Sequence, residues 1–219
     1  MPERLVPINT NHPKLRSLGI CHRIEIEHPL LVRESISTKL IAAADQLPNH
    51  LQLQIDSAYR SRETQEKIFK AREKQLGKKK TSKLVFDPQK GVPPHSTGGA
   101  VDVTLTNKHG IEINLSAPFP KYYQEPQLRS KNISPEAQQL RLLLHNVMTA
   151  QEFAPHPNEF WHFSYGDQMW ANHYHKNPLF SEVPKNNVPT YHSSIIHLVK
   201  LCKIIQMQMI KLGLRKRNY

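Results

Sequence analysis

The stretch that decides the fold of this chain around a candidate site is Pro93-Pro94-His95-Ser96-Thr97-Gly98-Gly99-Ala100-Val101-Asp102-Val103-Thr104-Leu105. The two prolines favour an extended approach to His95, and Gly98-Gly99 permits a tight turn. Apolar and polar residues then alternate, which predicts a strand whose Asp102 face differs from its apolar face. The turn can therefore bring the His95 imidazole over Asp102. The alternative is a surface loop in which His95 is incidental.

A second stretch, Asn158-Glu159-Phe160-Trp161-His162-Phe163-Ser164-Tyr165, is dense in aromatic residues and predicts a strand packed against the core. On a regular strand Glu159 would point away from His162, since the two are three residues apart. We therefore expect Glu159 to enter from the start of the strand or from a bend. The alternative is a salt-bridged glutamate beside a core histidine.

Two histidines and an aspartate form the ligand set of a catalytic metal, with one coordination position left for water. The chain has only two cysteines, Cys21 and Cys202, so a structural cage of four cysteines is excluded. A carboxylate beside such a metal can take the proton of water and pass it to a leaving amine. The two stretches together predict metal-assisted hydrolysis.

The chain resembles the zinc D,D-peptidases, the family that includes the vancomycin-resistance D-Ala-D-Ala dipeptidases (VanX-like). The family pattern S-x-H-x-x-G-x-A-x-D is matched from Pro93 to Asp102, and its E-x-x-H pattern is matched from Glu159 to His162. A third element, Asp56-Ser57-Ala58-Tyr59-Arg60, resembles the family segment D-x-A/G-Y-R. The likeness covers roughly residues 20–178, with the three motifs in the family's order.

The resemblance implies a Hedgehog/D,D-peptidase-like fold and one Zn²⁺ per chain, held by His95, Asp102 and His162. It assigns Glu159 as the general base and acid of D-alanyl-D-alanine hydrolysis. Arg60 would steady the carbonyl oxygen as negative charge develops on it. Further contacts to a small peptide with D-amino acids are expected from Tyr59, Trp161 and Glu125.

Three positions depart from the family pattern. Pro93 replaces a serine, and Phe160 replaces the first tryptophan of E-W-W-H. In the dipeptidases a P-F-D segment supplies an aspartate for the free amine of the substrate, whereas this chain has Pro120 in that place. Two alternatives follow: a D,D-carboxypeptidase or stem-peptide amidohydrolase that accepts longer peptides, and a catalytically silent zinc module.

The pattern of the whole chain predicts an α+β domain with a small, mainly antiparallel sheet flanked by helices. Its predicted helices are residues 36–47 with Ser35 as cap, 62–76 with Ser61 as cap, and one opened by Ser134-Pro135. The predicted strands are residues 51–55, 100–105 and 160–165.

Composition divides the chain into a peptidase domain (residues 1–180), a linker (181–192) and a basic amphipathic C-terminal helix (193–219). This last helix either docks on the domain or lies on a membrane surface or a partner protein. The net charge of +12 comes largely from residues 60–90 and from the tail, and no nucleic-acid motif accompanies it. We expect nucleic-acid binding to be absent.

The start of the chain has no apolar run after its first charges, so we expect no signal peptide. The expected location is the cytoplasm, with the periplasm as the alternative. The oligomeric state is not predicted.

Overall fold

The computed structural model describes residues 3–17, 30–115 and 127–190. It contains seven strands: β1 (Leu5–Pro7), β2 (Leu15–Ser17), β3 (Leu31–Arg33), β4 (Leu51–Ser57), β5 (Ala100–Asn107), β6 (Ala154–His156) and β7 (Glu159–Ser164). Its five α-helices are α1 (Glu34–Asp45), α2 (Arg62–Leu76), α3 (Lys78–Leu84), α4 (Pro135–Thr149) and α5 (Gln168–Tyr174). Short 3-10 turns lie at Pro88–Lys90, Pro94–Thr97 and Lys185–Asn187.

The main sheet has five strands in the order β2-β4-β5-β7-β6. Only the β2–β4 pair is parallel, and the other three pairs are antiparallel. A separate ribbon joins β1 and β3. The prediction of an α+β fold with a small, mainly antiparallel sheet is confirmed.

The apolar face of the sheet packs against α1 and α4. Every second residue of β4 and β5 is buried in this core, and the same cluster takes in one side of each helix. Its central members are Ile36, Leu40, Leu53, Ile55, Val101, Val103, Leu144 and Phe163. Burying this face leaves the other face of β5 and β7 to carry Asp102 and His162.

The predicted Ser61 cap is confirmed, and the helix predicted to open at Ser134-Pro135 has Ser134 as its cap. The hydroxyl of Ser61 accepts a hydrogen bond from the backbone N–H of Thr64, and that of Ser134 accepts one from Ala137. The predicted Ser35 cap is wrong, because α1 begins at Glu34 and Ser35 lies inside its first turn. The carboxylate of Glu3 accepts a bond from the Ser35 N–H at 3.0 Å, so a distant side chain does the capping.

The structure adds elements that the sequence pattern did not predict. Gly77, with φ of 76°, ends α2, and the short helix α3 begins at the next residue. Strands β1, β2, β3 and β6 are each three residues long, which is too short for a periodic pattern to stand out. The glutamines of residues 51–55 alternate with apolar residues, which is typical of a half-buried strand, yet Gln54 is fully buried.

Residues 181–190, within the predicted linker, pack on the domain through Val183, which is buried with Leu5, Leu31 and Tyr59. The predicted domain boundaries remain predictions, and the C-terminal helix (193–219) lies outside the described residues. Within the described part of the chain, no helix has both the length and the apolar character needed to cross a membrane.

Candidate active site

The sheet register places Asp102 and His162 side by side. Asp102 on β5 is directly opposite His162 on β7, and Ala100 is opposite Ser164. Directly opposite residues of an antiparallel pair project from the same face of the sheet. Ser57 on β4 pairs with Asp102 from the other side, so the three side chains form one row across the sheet.

His95 reaches this row from the turn Pro94–Thr97, which we call the His95 turn. Gly98 follows the turn with φ of 76°, a conformation that favours glycine. Gly99 is required for another reason, because a Cβ there would lie 2.3 Å from the carbonyl oxygen of Tyr165 on the neighbouring chain segment. The predicted tight turn therefore forms, and it returns the His95 ring to within 4.9 Å of the His162 ring, centroid to centroid.

The two nitrogens of His95 have different surroundings. Nδ1 lies 2.8 Å from the carbonyl oxygen of Ala58, and since a carbonyl only accepts, Nδ1 carries the proton. Burial, with the positive charge of Arg60 as a second cause, lowers the pKa of His95 to about 4. At neutral pH the ring is therefore uncharged, and the lone pair is on Nε2.

Asp102 lies between the two histidines. Its Oδ1 is 3.0 Å from Nδ1 of His162 and 3.4 Å from Nε2 of His95. Burial alone would raise the pKa of Asp102, but the two histidines outweigh burial and hold the pKa well below its usual value. Burial likewise opposes the charged form of His162, yet the hydrogen bond to Asp102 leaves the pKa of this histidine raised.

These three residues fit a divalent metal ion. Their ligand atoms all lie within 4.8 Å of one another. The buried Nε2 of His95 has no hydrogen-bond partner among the described residues, which is unusual for a buried polar atom. Zinc binds imidazole nitrogens and ionised carboxylates. The Nε2 of His95, the imidazole of His162 and the carboxylate of Asp102 are ligands of these types.

Glu159 is the first residue of β7, where the β6–β7 hairpin is irregular. Phe163 pairs with Pro155, but the next pair is Glu159 with His156, so the register shifts between them. This irregularity agrees with the prediction that Glu159 enters from the start of the strand or from a bend. Glu159 is half-buried and close enough for its charge to raise the pKa of His162.

Arg60 follows β4 and is held next to the His95 turn. Its backbone N–H donates to the carbonyl of His95 at 3.3 Å, and its Nη1 donates to the hydroxyl of Ser57 at 3.4 Å. The buried Nε has no hydrogen-bond partner within residues 3–17, 30–115 and 127–190. The structure thus brings Arg60 to the edge of the histidine–aspartate cluster with a donor still available.

The predicted substrate contacts have different positions. Tyr59 is 2% exposed and packs with Leu5, Leu31 and Val183, and burial raises its pKa to about 12. The half-buried Trp161 packs its ring edge-on to Phe160 at 5.0 Å. Glu125 and Pro120 lie outside the described residues.

Sequence reasoning missed three residues around His162. The His156 ring lies 5.5 Å from the His162 ring, and its position across the hairpin turn from Glu159 was the available signal. The hydroxyl of Ser164 lies 3.4 Å from Nε2 of His162. Asp167, which is 1% exposed, caps α5 by accepting a hydrogen bond from the Trp170 N–H.

This geometry can be compared with known proteins. The profile of the family Peptidase_M15, described as D-ala-D-ala dipeptidase, matches residues 19–180. The chain belongs to this family. The resemblance inferred from the three motifs is thereby confirmed. The enzymes of this family are peptidases.

Curated relatives of this Peptidase_M15 chain include two D-alanyl-D-alanine dipeptidases. The one from Synechocystis sp. (strain ATCC 27184 / PCC 6803 / Kazusa) is 39% identical over 95 residues, covering 38% of each chain. The one from Escherichia coli (strain K12) is 33% identical over 118 residues, covering 52% of this chain and 54% of the relative. The chain therefore spans about half or less of the length of these relatives.

Two solved structures are also similar to this Peptidase_M15 chain. The LdcB LD-carboxypeptidase matches 75% of this chain and 68% of its own at 19% identity, with a TM-score of 0.45. The vancomycin resistance D,D-dipeptidase VanXYg, in complex with a D-Ala-D-Ala phosphinate analogue, matches 73% of this chain and 61% of its own. Its sequence identity is 21% and its TM-score is 0.42.

Proposed function

We propose that this protein is a zinc-dependent peptidase that hydrolyses the dipeptide D-alanyl-D-alanine. The proposal rests above all on one observation, the convergence of His95, Asp102 and His162 within 4.8 Å. Membership of Peptidase_M15 and the two dipeptidase relatives support the substrate class.

The protein contributes a rigid, charged setting for the reaction. His95, Asp102 and His162 would hold one zinc ion, and the Ala58 carbonyl fixes which nitrogen of His95 is available. Zinc, when bound, supplies a Lewis acid for the scissile carbonyl and lowers the pKa of water towards neutrality. Asp102 stays ionised at neutral pH, because its pKa is held low by the two histidines, so the ligand set carries one negative charge.

Glu159 acts as the base and then as the acid. It takes a proton from water as the water oxygen forms a bond to the carbonyl carbon, and it returns this proton to the nitrogen of the leaving amine as the C–N bond breaks. The products are two molecules of D-alanine. Arg60 stabilises the carbonyl oxygen while this oxygen is negatively charged, using a guanidinium held beside the His95 turn.

A second candidate is a D,D-carboxypeptidase or stem-peptide amidohydrolase that accepts longer substrates. The observation that favours it is Pro120, which stands where the dipeptidase pattern has a carboxylate for the free amine. Without that carboxylate, an acylated amine costs less to bind, because no buried negative charge is left unpaired. Glu125 and Trp161 are the residues that we propose for substrate binding in either case, whereas Tyr59 is buried among apolar residues.

The test compares free D-Ala-D-Ala with N-acetyl-D-Ala-D-Ala, using L-Ala-L-Ala as the stereochemical control. A dipeptidase cleaves the free D,D-dipeptide and leaves the acetylated form nearly intact, whereas the second candidate cleaves the acetylated form at least equally well. Glu159→Gln should lower kcat by about 10²–10⁴-fold while zinc is retained. If Glu159→Gln retains wild-type kcat, the assigned base is wrong, and Glu152→Gln is the matched control.

A further inference from the structure

The segment after α5 folds back against the His95 turn. We call residues 179–183 the strap. The backbone N–H groups of Leu179 and Phe180 both donate to the carbonyl of Gly166, at 2.7 and 2.8 Å. The N–H of Val183 then donates to the carbonyl of Ser96 at 2.9 Å, one residue after His95. The strap is thus anchored at both ends, and its far end is bonded to the His95 turn.

Arg62 ties the strap to the approach to His95. Its Nε lies 3.0 Å from both carboxylate oxygens of Glu182, and its Nη2 lies 2.7 Å from Oε2. The same guanidinium donates to the carbonyls of Pro88 and Gly91, which lie just before the His95 turn. Such a fork matches a carboxylate in both position and orientation, unlike a single hydrogen bond.

Arg33 holds the turn from its other end. Its backbone N–H donates to the carbonyl of Gly98 at 3.0 Å, and its Nε donates to the carbonyl of Thr97 at 2.7 Å. Its Nη2 reaches the strap at the carbonyl of Ser181, at 3.2 Å. Arg33 is 6% exposed, so these are buried charge-assisted hydrogen bonds. Two arginines therefore connect the strap to both sides of the His95 turn.

The position of the His95 imidazole depends on this backbone. The ring donates a hydrogen bond from Nδ1 to the carbonyl of Ala58 and contacts His162 and Asp102. Further restraints act on the main chain of the turn, including the bonds that the His95 carbonyl accepts from Arg60 and Gly98. A shift of this main chain would move Nε2 relative to Asp102.

We propose that Glu182 and Arg62 are positioning residues that set the place of His95 as a metal ligand. This inference rests on the proposed function, because it takes His95 to be a ligand. The Peptidase_M15 match covers residues 19–180, so it includes the first two residues of the strap and ends before Glu182.

The test measures zinc affinity by competition with a chromophoric chelator, together with the visible absorption of the Co²⁺-loaded protein. Glu182→Gln keeps the size of the side chain and removes its charge. We expect about 10-fold weaker zinc binding, the lower end of the range for residues that support metal ligands, and a changed Co²⁺ spectrum. Arg62→Lys should weaken binding in the same direction, because lysine lacks the fork.

The matched control is Glu152→Gln, which removes the carboxylate of another ion pair, Lys39–Glu152, at 3.0 Å. It should leave the zinc affinity within about twofold and the Co²⁺ spectrum unchanged. Glu182→Asp, which keeps the charge, should restore most of the affinity lost in Glu182→Gln. A merely structural role of the strap would lower the thermal stability of Glu182→Gln but leave the affinity and the spectrum of the folded protein as in wild type.

That last result would overturn the proposal. So would a Glu182→Gln variant that equals wild type in every measurement. If instead the wild-type protein binds neither zinc nor Co²⁺, the metal site itself is refuted, and the proposed function fails together with this inference. The two failures are therefore distinguished by the wild-type titration.

Discussion

Oδ1 of Asp102 lies 3.0 Å from Nδ1 of His162, and the two residues are direct partners in the register of β5 and β7. Their separation is therefore set by the backbone hydrogen bonds of the sheet. Of the three proposed ligands, only His95 comes from a turn, and that turn has its own restraints from Arg33, Arg60 and Val183. A site on rigid elements of this kind holds its ligands close to binding geometry before the ion arrives.

Replacing either histidine ligand should abolish zinc retention. His95→Ala and His162→Ala each remove one of three protein ligands, so we expect less than about a tenth of the one zinc per chain in the wild type after dialysis. Elemental analysis of the purified proteins is the measurement. His109→Ala, an exposed histidine in the turn after β5, should keep its full zinc content. Full retention in both ligand variants would contradict the site.

Arg60→Ala should lower catalysis without loss of the metal. Removing a charge-stabilising donor typically costs about 10²–10³-fold in kcat. Zinc content should stay at the wild-type level, because Arg60 is not a ligand. Steady-state kinetics on D-Ala-D-Ala measure the change, and Arg129→Ala, at an exposed arginine, should leave kcat unaltered. A change confined to KM would mean that Arg60 binds the substrate but does not stabilise the reacting oxygen.

Ser164→Ala should weaken zinc binding, because the Ser164 hydroxyl faces the nitrogen of His162 that points away from Asp102. Loss of a partner that orients a ligand costs about 10–100-fold in metal affinity. Ser134→Ala provides a control with the same chemical change at the cap of α4. It should cost about 1 kcal/mol of stability and leave the zinc affinity unaltered. Equal zinc affinities in the two variants would show that Ser164 does not orient His162.

Gly99→Ala should disrupt the site through the backbone. The added Cβ would lie 2.3 Å from the Tyr165 carbonyl oxygen, so the start of β5 must move away from the end of β7. Gly77→Ala is the control, since φ there is 76° but no atom lies within 4 Å of the new Cβ. Both variants should lose about 1–3 kcal/mol of stability in chemical denaturation. Only Gly99→Ala should also lose zinc affinity, and intact affinity there would contradict the expected displacement.

The sequence predicted the strands that carry Asp102 and His162 well, because their signals are local. Alternation of apolar and polar residues indicates the strand Ala100–Leu105, and a high density of aromatic residues indicates β7. Ser61 and Ser134 indicate the starts of α2 and α4. The expectation that Glu159 enters from the start of β7 or from a bend follows from strand periodicity, since a regular strand would turn this carboxylate away from His162.

The strap could not be predicted in the same way. It lies between Pro178 and Pro184 and contains Ser181 and Glu182, which is typical of a linker. Its partners Arg62 and Arg33 lie 120 and 148 positions earlier in the chain. The Ser35 cap failed for a related reason, because Glu3, 32 residues away, takes the place of a local side chain. Long-range polar contacts of this kind leave no periodic trace in a single sequence.

The register of β5 against β7 also determines which changes in length the enzyme can tolerate. Strand side chains alternate between two faces, so deleting Phe163, which lies inside this ladder, would turn either His162 or Ser164 towards the core. Residues added to the exposed turn Lys108–His109, by contrast, would leave every pair of that ladder in place. Insertions and deletions in this protein are thus limited by strand parity near Asp102 and His162 and much less by loop length.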